Sequence, residues 1–564
     1  MNHKIFGHLL HWGLLLLAGW AVRVSAQQDE ALLAQQLFQQ ERWQQLADLA
    51  HSAPSRSAEF DYELGMALAH LERWEEARAA LLEGSRLAPG DKRFPTELAG
   101  VAFKQKREGE SIVYLHRALR LDPQDAYAND FLATIYFIQG NLEAALKYWN
   151  RAEKPEVEQV RSEPPPRLRP ALLDHAFAVA PASTLTLDEL RATDARVQAL
   201  DIFPTHRLDL VALPEGKFDA VFHATERDGF GDSKIEALLR TLRGLPFQEI
   251  TPEYFNINRS AINVVSLARW DPDKRRLAAT VSSPFLQDPR WRLELNVDLR
   301  NENWDVVSSF TGSVPLLAAL NLRREASSVR MTRLVGGRWR WSLGGEVSRR
   351  DYRNVFAGTA LTPQLLAGGY QLKQSAQLEY EFLHLPERRL TWSGGLSSQA
   401  ARLWSRTGQS FEKLEGSLAA RWFPRSRGND LETNWHVRAN KTFGEIPFDE
   451  LFMLGLERDN NLWLRAHVGV RDGRKGSAPL GRNYILSNWE TDKNIYSNGL
   501  LTLQLGPFFD SGKINDPSPA LGSEKWLFDT GAQAKVRVLG VGVIFSYGKD
   551  LRTGNNAFFT TVRR

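Results

Sequence analysis

Trp291-Arg292-Leu293-Glu294-Leu295-Asn296-Val297-Asp298-Leu299-Arg300 alternates without a break. Every odd position is large and apolar, and every even position is charged or carries an amide. Because successive side chains of a strand point to opposite faces, this segment predicts a strand with one greasy face and one charged face. The scheme recurs downstream. Trp339, Trp341, Leu343 and Val347 alternate with Arg338, Arg340, Ser342 and Glu346. Ala376, Leu378, Tyr380 and Phe382 repeat it, as do Val536 and Val538, then Val541, Val543, Phe545 and Tyr547. A soluble sandwich also alternates. Charges in succession suit a wet lumen, however, and Trp and Tyr near strand ends suit a membrane interface. Strands cross lipid only in a closed sheet, since unpaired backbone groups there are too costly. Residues 229–564 are therefore predicted to form a transmembrane antiparallel β-barrel of about 16 strands, at roughly 21 residues per strand with its turn.

Composition agrees with that reading. The 564 residues hold 17 Trp and 41 Gly but only 4 Met, and after the N-terminus no apolar run is long enough for a membrane-spanning helix. With no cysteine there are no disulfides, no thiol chemistry and no zinc–thiolate site. A net charge of +4, spread along the chain, gives no basis for nucleic-acid binding. At the N-terminus, Lys4 precedes an apolar stretch centred on Leu14–Leu17 that ends in Val24-Ser25-Ala26. This predicts a signal peptide over 1–26, cut between Ala26 and Gln27. Arg23 interrupts the stretch, which is too short to remain as an anchor.

Upstream of the barrel the period changes. Gly65, Ala99 and Ala133 stand 34 residues apart, as do Ala77, Ser111 and Ala145, then Leu81, Leu115 and Trp149, then Gly84, Ala118 and Ala152. Pro89 and Pro123 close two of the repeats, and Val157 stands where the third would have proline. Small residues recur where paired helices cross, and large ones where neighbours stack. The pattern resembles the tetratricopeptide repeat, which implies an α-helical solenoid over 29–159 whose surface binds a client polypeptide or partner protein. Residues 160–170, with Pro164-Pro165-Pro166 and Pro170, read as a stiff linker. Residues 171–228 then read as strand (His175–Val179), helix (Leu187–Leu200) and hairpin (Arg207–Leu213 with Phe218–Thr225). The stretch from Leu200 to Arg227 resembles the end of a polypeptide-transport-associated (POTRA) domain, a small α+β unit. With one helix evident where that family has two, the domain is expected to be truncated.

Residues 200–564 resemble the bacterial surface antigen family of outer-membrane assembly and translocation barrels, the BamA and TamA type. Phe508-Phe509-Asp510-Ser511-Gly512 matches the family motif F-x-D-x-G on a late strand. Leu464-Arg465-Ala466-His467 falls where the family places an arginine on a loop folded back into the lumen. Tyr254-Phe255-Asn256, Ser283-Pro284-Phe285 and Leu299-Arg300-Asn301-Glu302 follow the family order nearer the front. The resemblance implies a lumenal pair between Arg465 and Asp510, supported by Phe508, Gly512 and His467, with Arg471 as a second candidate for the arginine. The family has glycine and an aromatic after its arginine, where this chain has Ala466 and His467. It also implies that Ile235–Leu242 is the first strand, meeting Ala557–Val562 at a seam able to open, although the segment's own pattern suits a short helix equally.

The function expected from the resemblance is protein insertion into, or translocation across, a Gram-negative-type outer membrane, with the repeats in the periplasm and no cofactor or metal. Two alternatives stay open. One is a conduit for polysaccharide or another small molecule, which would show an open lumen without an inward-folded loop. The other is a membrane-anchored scaffold or surface antigen. No enzyme is expected. The chain lacks a P-loop, G-x-S-x-G and H-E-x-x-H, and its 12 histidines are scattered.

Overall fold

The computed structural model describes residues 31–49, 57–231, 234–358, 360–405, 408–425, 428–498, 500–515, 521, 523–538 and 541–563. The expected signal peptide at 1–26 lies outside them. Two compact units follow one another, Met1–Lys154 and Pro155–Arg564.

The first unit is built of helix pairs. Ala58–His70 packs on Trp74–Leu87, Arg93–Lys104 on Glu108–Leu121, and Ala126–Ile138 on Leu142–Trp149, after shorter helices at 31–39 and Trp43–Leu49. The second helices start at Trp74, Glu108 and Leu142, in steps of 34 residues. The periodic small residues sit at the crossings. A Cβ on Gly65 would lie 2.5 Å from Leu81 Cγ, so any side chain there would drive the first pair apart. Ser111 is buried and spends its hydroxyl on the carbonyl of Ala99, 2.8 Å away.

The second unit opens with a four-stranded sheet in the order Ser183–Thr184, Glu156–Ser162, Phe218–Thr225, Thr205–Ala212. This corrects three expectations. The helices of the first unit end before 159, and the first three residues of the expected linker, 160–162, are strand, because Glu156–Ser162 pairs in parallel with Phe218–Thr225. That partner lies about 60 residues ahead, and only Val157 of the strand is fully buried, so no local alternation announces it. His175 and Ala176 close a helix, Pro170–Ala176, rather than opening a strand. Proline at its first position loses nothing there, and Leu172 and Ala176 fall one turn apart on the buried side. The domain thus starts at Glu156 and has two helices, the second (Leu187–Ala199) opened by a Thr186–Glu189 capping box. Its core is Leu172, Ala176, Val197, Ile202 and Phe222.

From Glu249 onward the chain forms a closed barrel of eighteen strand segments, fourteen of them 8–20 residues long. The long strands pair antiparallel with their neighbours, from Ile262–Arg269 on Lys274–Phe285 through to Val541–Asp550 on Asn556–Arg563. Burial is inverted relative to a water-soluble protein. Leu295 and Val297 are 48% and 46% exposed, whereas Asp298 and Glu302 of the same strand are 7% and 2% exposed. The outer apolar face continues through Leu343, Val347, Leu378, Phe382, Leu396 and Leu505. Water would penalise such a surface strongly, whereas lipid accepts it. Toward the short-turn end, Trp291 meets Trp341, Trp339 stacks on Tyr380, and Trp392 meets Trp435, as expected of rings at a membrane interface.

The first-strand expectation is corrected. Lys234–Leu242 is an α-helix. In the sequence, Ile235, Leu238, Leu239 and Leu242 stand at i, i+3, i+4 and i+7, a helical spacing that outweighs the imperfect alternation. Gly229 bridges antiparallel to Phe255, so the chain enters beside the descending Glu253–Ile257 strand before turning into the helix. Around the ring, the neighbour of Asn556–Arg563 is the two-residue strand Glu249–Ile250, not 235–242. The small domain rests on the short-turn rim of the barrel. Arg191 pairs with Glu381, and Arg292 reaches Asp201 at 3.3 Å.

Candidate functional site: a charged segment inside the lumen

Strands Leu431–Gly444 and Asn483–Ser497 pair directly, with Asn440 opposite Tyr484. The 445–482 segment between them therefore leaves the sheet and returns to its own neighbour, and it fills the lumen instead of spanning anything. Its two arms meet in a short ladder, Phe452–Met453 with Leu480–Gly481. Leu454, Leu462 and Leu464 pack against Leu486 and Ile514 on the inner wall. Charge fixes the segment as well, at three places.

At the first, Arg465 forks onto Asp510. Its Nε donates to Oδ2 at 2.9 Å and Nη2 to Oδ1 at 2.7 Å, while its backbone N–H donates to Oδ2 at 3.0 Å. Nη1 donates to Glu490 at 2.8 Å and to Gln533 at 2.9 Å. The guanidinium lies 3.9 Å from the centre of the Phe508 ring, and Asn488 adds a donor to Asp510 at 2.8 Å. A fully satisfied bidentate pair in a dry setting is both strong and directional. Asp510 is 0% exposed. Gly512 sits where a Cβ would come 3.1 Å from Leu454, so its lack of a side chain leaves room for the segment. Immediately after Arg465, the Ala466 N–H donates to Asp529 at 2.7 Å, and His467 Nδ1 lies 3.0 Å from the same oxygen. Arg471 is elsewhere. It donates to the carbonyls of Ser309 and Gly312 in another loop, which excludes it as the partner of Asp510.

The other two places were not singled out from sequence. Glu450 takes Lys413 at 2.7 Å and Lys373 at 3.3 Å, while Asp449 takes Arg350 at 3.0 Å and the Tyr352 hydroxyl at 2.8 Å. Asp459 takes Arg269 at 2.7 Å and Arg276 at 2.6 Å, and Lys475 reaches Glu302 at 2.8 Å. Together the three clusters engage eleven of the fourteen long strands. The segment is held from nearly all sides and not hinged at one. One signal for the first cluster was present in the sequence. Leu527-Phe528-Asp529-Thr530-Gly531 nearly repeats Phe508-Phe509-Asp510-Ser511-Gly512 on the adjoining strand, and places Asp529 beside Asp510.

No protein-family model matches this chain, and no curated protein matches it either. Among solved structures, BamA from Haemophilus ducreyi lacking POTRA domains 1–3 aligns with 12% identity over 72% of this chain and 84% of that one, with a TM-score of 0.42. CdiB from Escherichia coli aligns with 14% identity over 73% and 75% of the two chains, with a TM-score of 0.46. CdiB from Acinetobacter baumannii aligns with 8% identity over 81% and 86%, with a TM-score of 0.44.

Proposed function

We propose that this protein is an outer-membrane barrel that inserts polypeptides into the membrane or moves them across it. Its 445–482 segment acts as a plug that must yield for passage. The observation that carries this reading is the plug's fixation by Arg465, Asp449–Glu450 and Asp459–Lys475 to strands around the ring. A permanent pore for small solutes has no use for a lumen filled and locked in this way. A gate for an occasional large client does, because ion pairs are directional and exchange for water when the client arrives. This observation also disfavours a polysaccharide conduit, which calls for an open lumen. The helix pairs of the first unit, read as tetratricopeptide repeats in the periplasm, would recruit the client or a partner protein. The small α+β domain, read as POTRA-like, would stand at the barrel mouth. The short Glu249–Ile250 strand beside Asn556–Arg563 offers little backbone pairing, and a seam of that kind accepts an added strand. No catalysis and no cofactor enter this mechanism.

The test is depletion of the protein followed by quantitative outer-membrane proteomics. The expected result is loss of a defined set of barrel or surface proteins, with their precursors held in the periplasm. An unchanged protein profile with a missing surface glycan or lipid would transfer the assignment to a conduit. Full activity from the repeats tethered by another anchor would make the barrel a scaffold.

A further inference from the structure

On the outer face of the barrel, strands that ascend from the short-turn end share one order of side chains. Trp339, Trp341, Leu343, Gly345 and Val347 lead to Arg349, and Trp392, Gly394, Leu396, Ser398 and Ala400 lead to Arg402. Trp435, Val437 and Ala439 lead in the same way to Lys441. The neighbours of each cation in the chain are buried on the lumenal side: Ser348 and Arg350, Ala401 and Leu403, Asn440 and Thr442. Arg349, Arg402 and Lys441 therefore point outward, and all three are exposed. Ten residues separate Trp339 from Arg349, and Trp392 from Arg402. At about 3.4 Å per residue and a tilt of about 40°, that climbs about 26 Å, the height of the apolar band of a membrane barrel. The rings mark one edge of the hydrocarbon and the cations the other.

Register keeps the three cations at one height. Arg349 stands opposite Tyr370, and Tyr370 opposite Trp404, two residues beyond Arg402. The same offset puts Lys441 within two residues of the level of Arg402. Among the described residues none of the three has an acidic partner, although Arg349 lies 5.5 Å from the centre of the Tyr370 ring. The adjoining Arg323 and Arg353 are answered by Glu325 and Asp351, at 2.7 and 2.8 Å. Beside the unanswered cations the wall is hollowed. A shallow groove of about 500 Å³ is lined by Leu372, Ala400, Ser410 and Phe443, together with Arg402 and Glu412. Ala400 and Ser410 are small, which leaves the hollow beside the larger Leu372 and Phe443. Glu412, its one carboxylate, accepts a hydrogen bond from Ser398 at 3.3 Å.

We infer that Arg349, Arg402 and Lys441 form a docking surface for a phosphorylated glycolipid of the outer leaflet, with its phosphates on the cations and an acyl chain along the groove. A guanidinium matches phosphate oxygens two at a time, and an ammonium adds a point charge. At the hydrocarbon edge these contacts lie close enough to lipid to be screened less than in open water. A zwitterionic lipid brings its own cation and competes poorly, whereas a sugar lipid with two phosphates offers charge to more than one basic side chain. The inference rests on the outer-membrane placement proposed above, with the rim that carries the small domain in the periplasm. It does not depend on what passes through the barrel.

The test places the full-length protein in phosphatidylethanolamine nanodiscs and titrates it with fluorescent bisphosphorylated lipid A. The expected result is saturable binding, weakened at least tenfold in the triple variant Arg349→Gln, Arg402→Gln, Lys441→Gln and equally by removal of the lipid's phosphates. Arg333→Gln, at the short-turn end where Arg333 lies 4.8 Å from the Trp291 ring centre, should bind as the wild type does. The three substituted side chains are exposed and have no ion-pair partner, so heat-modifiable gel mobility should be unchanged. If the triple variant fails to fold, Arg402→Gln alone should still weaken binding two- to threefold. Wild-type affinity in the triple variant, or an equal loss in Arg333→Gln, would overturn the surface. So would phosphatidylglycerol that binds as well at the same mole fraction, or inorganic pyrophosphate that displaces the lipid at equal concentration, since either removes the need for a glycolipid. Any of these results, with clients still lost on depletion, would leave the translocation reading standing.

Discussion

Arg465 and Asp510 are each buried among the other's donors and acceptors, so removing one strands a charge in a dry place. Such a loss costs about 3–5 kcal/mol, more than the intact pair contributes net. Arg465→Ala and Asp510→Ala are each expected to impair barrel assembly or function, and the double variant is expected to be no worse than either single. Additive losses in a double-mutant cycle, read as folded barrel by heat-modifiable gel mobility, would show that the two residues act separately. Gly548 belongs to the same contact. A Cβ there would fall 2.3 Å from the Arg465 carbonyl oxygen, so Gly548→Ala should loosen the plug without touching any charge, seen as faster proteolysis within 445–482. At this scale the F-x-D-x-G motif and the arginine were legible, because a motif states residue type and spacing. The near-repeat at 527–531 carried Asp529 in the same form. Asp449, Glu450, Asp459 and Lys475 carry no such mark. They are ordinary charges in a loop until the fold brings them to Arg350, Lys413, Arg269 and Glu302.

Strands and helices were legible where a period ran unopposed and illegible where two periods competed or the partner lay far ahead. The Asp288–Val307 strand shows its faces in ten residues, because lipid and lumen impose opposite chemistry on alternate positions. The 234–242 segment fits both periods, and Glu156–Ser162 is recognisable only beside Phe218–Thr225. The face assignment is testable. Val297→Arg, pointing outward in mid-strand, should destabilise the barrel by about 2–4 kcal/mol near the membrane centre, whereas Asn296→Arg, pointing to the lumen, should cost much less. Refolding into vesicles under urea measures both, and equal losses would contradict the orientation. In the helical unit, Glu63 on the Ala58–His70 helix is buried, and this desolvation, reinforced by Glu59 and opposed by Arg93, raises its pKa to about 7 from an ordinary 4.5. The folded chain therefore binds more protons than the unfolded one between those values, so the helix loses stability as pH rises through that window. Hydrogen exchange of Ala58–His70 in the full-length protein, corrected for intrinsic rate, should show weaker protection at pH 7.5 than at pH 5.5, and Glu63→Gln should abolish the difference.

In the whole molecule, a ring of charge facing inward and a segment of charge filling it determine each other. Without the segment, Arg269, Arg350, Lys413, Asp510 and Glu302 of the wall would face lumenal water and lose partners that now answer their charge, and the segment would leave Asp459, Asp449, Glu450, Arg465 and Lys475 without theirs. Each is the other's counter-ion, so the lumen is closed at rest by the same contacts that let it be polar. That reciprocity makes the plug removable in principle and expensive in place. Because the flanking strands already pair, with Asn440 opposite Tyr484, a short Gly-Ser turn from Gly444 to Asn483 can replace the segment without breaking the ring. The shortened protein should insert into planar bilayers as a steadily conducting pore, while the full-length protein stays mostly closed with rare openings. Its inner wall, freed of the plug, should be less stable to heat and should favour whichever ion answers the exposed residues, so that selectivity shifts when Arg350 or Lys413 is neutralised. If the shortened protein conducts no more than the full-length one, something other than the segment closes the lumen. The small domain held to the rim by Arg191–Glu381 and Arg292–Asp201 is then the element to remove next.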